Sequence, residues 1–359
     1  MAKIDAFFRL LNEEGGSDLH LSTGNPPMIR VKGELKRIEF PTLEHESLQE
    51  MLYEICPEDK QKSFEEKWDL DFAYELPGVA RYRANFLNQK WGIAAVFREI
   101  PSQILTVDQL GLPDICLKFS MLKRGLVLVT GPTGSGKSTT LAAMIDYANK
   151  NRNDHILTLE DPVEFVHKSQ KCLVNHREIG THTRSFHNAL KGALREDPDI
   201  ILVGELRDLE TIELAVEAAA TGHLVFGTLH TMSAMQTVDR LVEVFPASQQ
   251  ERIRVTLAES LKGVIAQNLF KRIDKPGRCA CLEILAVNSA ISNLIRTGKT
   301  HQLLGVMQTQ KKLGCRTLDD AIEEKLSEGW ISIEEAYEKA IDKKRFADRL
   351  KEPPDALMV

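Results

Sequence analysis

The residues best suited to chemistry are Gly131-Pro132-Thr133-Gly134-Ser135-Gly136-Lys137-Ser138, followed by Thr139. Their glycines let successive backbone N–H groups turn inward around a phosphate, and a helix starting where they end adds its positive pole. Lys137 is spaced to reach the β- and γ-phosphates, and Ser138 to ligate Mg²⁺. ATP and Mg²⁺ are therefore the expected ligands, with the loop from Gly131 to Thr139 as the binding segment. The context agrees with this rather than with a chance glycine-rich turn: the apolar strand Leu126-Val127-Leu128-Val129 precedes the loop, and helical spacing runs from Ser138 to Asn149.

Hydrolysis also needs carboxylates at the ends of neighbouring strands. Ile200-Ile201-Leu202-Val203-Gly204-Glu205 offers Glu205 as the group that positions the attacking water, while Gly204 stands where many P-loop ATPases place a Mg²⁺-holding aspartate. Asp199 lies at the opposite end of that strand and cannot substitute. Glu160, Asp161 and Glu164 follow the strand Ile156 to Leu159 and could order Mg²⁺ and water. Gly222-His223 and Leu229-His230-Thr231 bracket a further strand, which would bring His230 beside the γ-phosphate and leave His223 at the far end, where packing or capping is an equal reading. Guanidinium groups must stabilise the transferring phosphoryl group. Spacing alone does not choose among Arg83, Arg98, Arg195, Arg207 and Arg240.

The elements that would position these groups fall into two modules. Before residue 100, short strands at Leu19, Met28, Val79 and Gly92 surround a helical stretch from Leu43 to Cys56, an α+β pattern. Pro101, Gly111 and Pro113 punctuate a linker. From Gly125, apolar strands alternate with helices at Ser138–Asn149, Phe186–Arg195 and Thr211–Ala220. This pattern predicts an α/β module with a parallel sheet covered on both faces and the ligand at the carboxyl ends of its strands. The tail is helical, with Ser332 and Glu335 forming a capping box. The expected boundaries are 1–100, a linker at 101–118, an ATPase core at 119–285 and a helical region at 286–359.

Composition limits the alternatives. Lys and Arg number 46 against 52 Asp and Glu, a net charge of −6, so no bulk charge favours nucleic acid or an anionic membrane surface. The apolar runs are strand-length, short of the ~20 residues that span a bilayer, and the first residues do not read as a signal peptide. A cytosolic chain with reduced thiols is expected for its six scattered cysteines. Neither Cys279 with Cys281 nor the group Cys172, His176, His182 and His187 fits zinc-site spacing.

The phosphate loop, Glu160-Asp-Pro-Val-Glu164, Ala193-Leu-Arg-Glu-Asp-Pro-Asp199 with Gly204-Glu-Leu-Arg-Asp208, and Thr221-Gly-His-Leu-Val-Phe-Gly-Thr-Leu-His-Thr231 together resemble the Walker A, Asp-box, Walker B and His-box set of the type II/type IV secretion and pilus ATPase superfamily. Ser17-Asp-Leu-His-Leu-Ser and Pro27-Met-Ile-Arg-Val-Lys-Gly resemble the start of its twitching-motility, PilT-like group. The resemblance implies a PAS-like α+β N-terminal domain, a RecA-like P-loop ATPase domain with a helical C-terminal extension, and a homohexameric ring with ATP bound between the domains. It maps arginine fingers to Arg83 and Arg98. Partners would be an inner-membrane platform protein and the pilus machinery, with no nucleic acid. Membrane association would be peripheral, through those partners, at the cytoplasmic face of the inner membrane.

Assembly-type relatives usually carry a long extra N-terminal region and a tetracysteine zinc insertion, and the lack of both here favours the retraction type. Ala290-Ile-Ser-Asn-Leu-Ile-Arg-Thr297 resembles a retraction signature but departs from it at Ser292 and Thr297, so an accessory retraction paralogue is one alternative and a secretion or DNA-uptake pseudopilus ATPase another. From other classes, a RecA-like helicase would need nucleic-acid stimulation and a basic-aromatic stripe that the sequence lacks, and a non-hydrolysing regulator would release no phosphate.

Overall fold

A computed structural model describes residues 2–31, 33–100 and 103–350. They form two compact units, one reaching to Gln103 and including Pro162–Val166, the other made of Ile104–Asp161 and the chain from His167 onward.

The first unit is a six-stranded sheet of β1 (Asp18–Ser22), β2 (Met28–Val31), β3 (Glu34–Arg37), β4 (Asp69–Leu76), β5 (Ala80–Gln89) and β6 (Gly92–Ile100), in the order β3-β2-β1-β6-β5-β4. All its pairs are antiparallel. Alternation sends Leu19, Leu21, Tyr82, Ala84, Phe86 and Phe97 to one face, where they are buried with the helix Asp5–Glu13. Phe8 of that helix stacks on Tyr82 with ring centroids 4.2 Å apart and meets Phe97 edge-on at 5.0 Å.

The second unit holds β7 (Gly125–Thr130), β8 (His155–Glu160), β9 (Leu173–Glu178), β10 (Ile200–Val203), β11 (Leu224–Leu229), β12 (Leu261–Lys271) and β13 (Arg278–Ala286), ordered β13-β12-β7-β11-β10-β8-β9. Every pairing is parallel except β12 with β13. All residues of β7, β10 and β11 are buried, which is why they read as unbroken apolar runs rather than alternating ones. Helices Lys137–Asn151, Phe186–Ala193 and Leu209–Thr221 lie between the strands in sequence, each starting or ending within a few residues of its expected bounds. Among the described residues, five short α-helices and two 3-10 turns from Ser289 onward make up the helical tail.

Two expectations change. The stretch taken as a linker carries helices Val107–Leu110 and Asp114–Ser120, and Val107, Leu112, Cys116 and Phe119 belong to the core of the second unit. The Ser332 side chain does accept from Glu335 N, but Glu335 accepts from Lys271 N and pairs with Lys339 instead of closing a capping box. Among the described residues, no helix is long and apolar enough to cross a membrane.

Phe8 is fully buried, so Phe8→Ala should destabilise the first unit by about 3–5 kcal/mol. Chemical denaturation of the full chain, followed by a probe in that unit, checks this value.

Candidate active site

The loop after β7 has the shape its glycines permit. Gly131 (φ 137°) and Gly136 (φ 87°) adopt positive φ. A Cβ at Gly131 would sit 2.3 Å from Gln267 O, and one at Gly136 would sit 2.8 Å from Gln267 Nε2. The strand beside the loop therefore demands these glycines as much as the turn does. Gln267, on β12 and almost fully buried, donates from Nε2 to Ser135 O at 2.7 Å and accepts from Thr140 Oγ1 at 2.7 Å. One amide thus pins the loop to the helix that follows.

Lys137 Nζ donates to Gly131 O at 2.8 Å and Pro132 O at 3.1 Å. Ser135 Oγ is buried with no hydrogen-bond partner among the described residues. Buried hydroxyls are nearly always partnered, so this orphan in the loop that leads into the helix Lys137–Asn151 fits a site shaped for an anion. Thr133 and Gly134 are exposed at its rim, while Pro132, Ser138 and Thr139 are half-buried.

Parallel register brings the other groups to the same edge. Thr130 pairs with Leu229, Val203 with Gly227 and Val203 with Leu159. The residues that leave the sheet next are thus Gly131, His230 and Gly204-Glu205, with Glu160 as the last residue of β8 and Asp161 after it. Glu205 Oε1 lies 3.1 Å from His230 Nε2, and Glu205 Oε2 lies 2.7 Å from Arg207 Nη2. Partial burial would raise the Glu205 pKa, but the Arg207 hydrogen bond and charge outweigh it, with His230 contributing, and the pKa falls below its ordinary value. Arg207 moves the other way, raised by the same hydrogen bond. Thr228 fixes the turn, donating from Oγ1 to Gly204 O at 2.5 Å and accepting from Leu206 N at 3.0 Å.

The glycine at 204 has a steric reason. A Cβ there would lie 3.2 Å from Leu159 O and 3.3 Å from Glu160 Cα, so a side chain would need the end of β8 to give by a few tenths of an ångström. Glu160 instead has His176 Nδ1 3.9 Å away, and His176 is held by Thr158 Oγ1 at 2.7 Å.

Glu164, Arg83 and Arg98 belong to the first unit, where Arg83 faces Asp71 and Arg98 faces Asp18. His223 closes a helix by bonding Ala218 O through Nδ1 at 3.0 Å, the capping alternative. Cys172 bonds to backbone carbonyls, His182 accepts from Glu178 N and His187 lies near Glu210. Among the described residues, no three Cys, His, Asp or Glu side chains converge on a metal position.

Gln267, Thr228 and His176, and the pairing of Arg207 with Glu205, do not emerge from the motif reading. Gln267 did leave one signal, a lone amide after the apolar run Val264-Ile265-Ala266.

A phosphate cradle between a buried parallel strand and a helix, with a carboxylate and an imidazole at adjacent strand ends, defines a P-loop ATPase on a RecA-like sheet. The family model described as "Type II/IV secretion system protein" matches residues 3–276, and the chain belongs to that family. It is 56% identical over 328 residues, covering 91% of this chain and 95% of the relative, to the Pseudomonas aeruginosa protein named "Type IV pilus retractation ATPase PilT". It is 52% identical to a Neisseria gonorrhoeae "Twitching motility protein", over 88% of this chain and 84% of that one. Among solved structures, one described as the pilus retraction motor PilT with bound ADP matches at TM-score 0.89 and 44% identity, over 98% of this chain and 100% of that one.

Two outcomes follow. Gln267→Leu should unpin the loop and weaken ATP binding roughly tenfold, the cost of about one buried hydrogen bond, as read by titration with a fluorescent ATP analogue. Removing Arg207 leaves burial to act on Glu205, so Arg207→Ala should move the acid limb of the kcat/KM profile to higher pH. The sign follows from the depressed pKa: the favourable interactions of ionised Glu205 are present above its unfolded value of 4.5 and lost as pH falls through the folded one.

Proposed function

We propose that this chain is the motor ATPase of type IV pilus retraction, converting ATP and water to ADP and phosphate. The observation that carries the reading is the near end-to-end similarity to the Pseudomonas retraction ATPase, together with a phosphate loop, Glu205 and His230 on one sheet edge.

In this reading Gly131 to Thr139 wrap the phosphates, and Lys137 exchanges its carbonyl partners for phosphate oxygens, to which its charge binds more strongly. Ser138, in the first turn of the helix Lys137–Asn151, would hold Mg²⁺, which when bound supplies charge neutralisation on the β- and γ-phosphates. Ionised Glu205 has about four acceptor sites and, among the described residues, two side-chain partners, so it retains capacity to accept from a water aimed at the γ-phosphorus. Water oxygen bonds to that phosphorus, the bond to the β–γ bridging oxygen breaks, and Glu205 receives the proton. His230, bonded to the same carboxylate, couples it to the presence of the phosphate. Glu160 and Glu164 order solvent at the neighbouring strand end, and Arg83 and Arg98 supply positive charge to the transferring group.

We further read the active form as a homohexamer, a closed heterologous ring, working in the cytoplasm against an inner-membrane platform protein. Charge of −6 and the lack of a basic-aromatic stripe argue against a nucleic-acid substrate.

Deleting the gene in its host should leave pili extended and abolish twitching. Wild type should restore both, and Lys137→Ala, lacking the phosphate-binding ammonium, should restore neither. Normal retraction in the deletion strain overturns the proposal, and a partial defect points to the accessory paralogue.

A further inference from the structure

One face of the first unit's sheet carries charge instead of core. Register places Arg30 and Arg98 on the two sides of Asp18, and Arg83 directly opposite Arg98. Like charges paired across strands repel, so the Arg83–Arg98 pair is a local cost with no packing return. Each arginine is tied by its ε edge: Arg98 Nε donates to Asp18 Oδ1 at 2.8 Å, and Arg83 Nε lies 3.6 Å from Asp71 Oδ1.

The two ties differ. Asp71 is half exposed, whereas the Asp18 side chain is 5% exposed under an arginine that is 70% exposed. Exposed ion pairs hold little, because both partners wander. Here the carboxylate is the fixed member, since Ser17 Oγ donates to it at 2.7 Å and Arg30 Nε lies 3.9 Å away. Burial would raise the Asp18 pKa, but the Ser17 and Arg98 hydrogen bonds and the Arg98 charge hold it below its ordinary value, so it stays ionised. Burial lowers the pKa of His20, on the same face, so it adds no competing cation at neutral pH.

The bond is not needed to join the strands, because β1 and β6 already pair over five residues. Among the described residues, the terminal nitrogens of Arg98 make no hydrogen bond, which leaves the fork open to a bidentate anion.

We infer that Asp18 is a positioning residue for Arg98, gripping the guanidinium by its ε edge so that its two terminal nitrogens are preset for phosphoryl oxygens. This rests on the reading of Arg98 as a cation that acts on the nucleotide. Fixing the fork in advance removes the entropy that a free arginine would lose in the transition state, so the effect belongs in kcat rather than in nucleotide affinity.

The experiment is a double-mutant cycle on the full chain with Asp18→Ala, Arg98→Ala and both, measuring kcat, KM, ATP-analogue affinity and the unfolding midpoint. Arg98→Ala should lower kcat at least tenfold, a conservative figure for an arginine finger. Asp18→Ala should lower it by a similar factor with affinity within about twofold, and the double variant should be no slower than the slower single one. Asp18→Asn, which keeps the volume and an acceptor but not the charge, should lose about threefold and carries the test if the alanine variant misfolds. Full activity in Asp18→Ala or Asp18→Asn beside a crippled Arg98→Ala overturns the positioning role, as do multiplicative losses in the double variant. Full activity in Arg98→Ala overturns the underlying reading of that arginine and the proposal with it.

Discussion

The chemistry of this molecule depends on the parallel, level pairing of β7, β11, β10 and β8. Because a parallel ladder fixes which residues stand side by side, Thr130 beside Leu229 and Val203 beside both Gly227 and Leu159 bring the phosphate loop, His230, Glu205 and Glu160 off the sheet at one edge. A strand slipped by one residue would turn its next side chains to the wrong face of the sheet. The complete burial of β7, β10 and β11 makes such a slip costly, so the hydrophobic core sets the geometry of the charged edge.

Two further devices refine that edge. Gln267 spends a buried amide on holding Ser135 and Thr140, and the closeness of β12 to the loop then permits only glycine at 131 and 136. On the other side, Arg207 and His230 keep Glu205 ionised despite its partial burial. The first device preserves the shape of an anion site and the second the charge of a group that must accept a proton. Packing at Gly204 is tight against β8, and with no carboxylate at that position more of the carboxylate chemistry falls on Glu205 and on the segment after β8.

How much of this was legible in the sequence follows from where the information lies. The buried strands read as unbroken apolar runs, and the motif residues are close in sequence, so strand ends and loop could be placed from pattern. The partners of those residues are far away in the chain: Gln267 is 127 residues from Thr140 and 132 from Ser135, and Asp18 is 80 from Arg98. No local spacing reveals such pairs. Strand β12 was hidden because the helix Ala247–Ser260 runs into it at Leu261 with no glycine or proline between them, and edge strand β9 because it carries Asn175, His176 and Arg177. The supposed linker escaped as structure because its capping box, Thr106 with Gln109, sits amid the punctuation of Pro101, Gly111 and Pro113.

The account comes down to whether Glu205 acts on water while the loop from Gly131 to Thr139 does the binding. Glu205→Gln separates the two, because the amide keeps the shape but cannot take a proton at neutral pH. The decisive measurement is single-turnover phosphate release alongside ATP-analogue affinity in that variant. The account predicts affinity within about twofold of wild type and release slowed by about 10²-fold or more, the range of a lost general base. Release at the wild-type rate would contradict it.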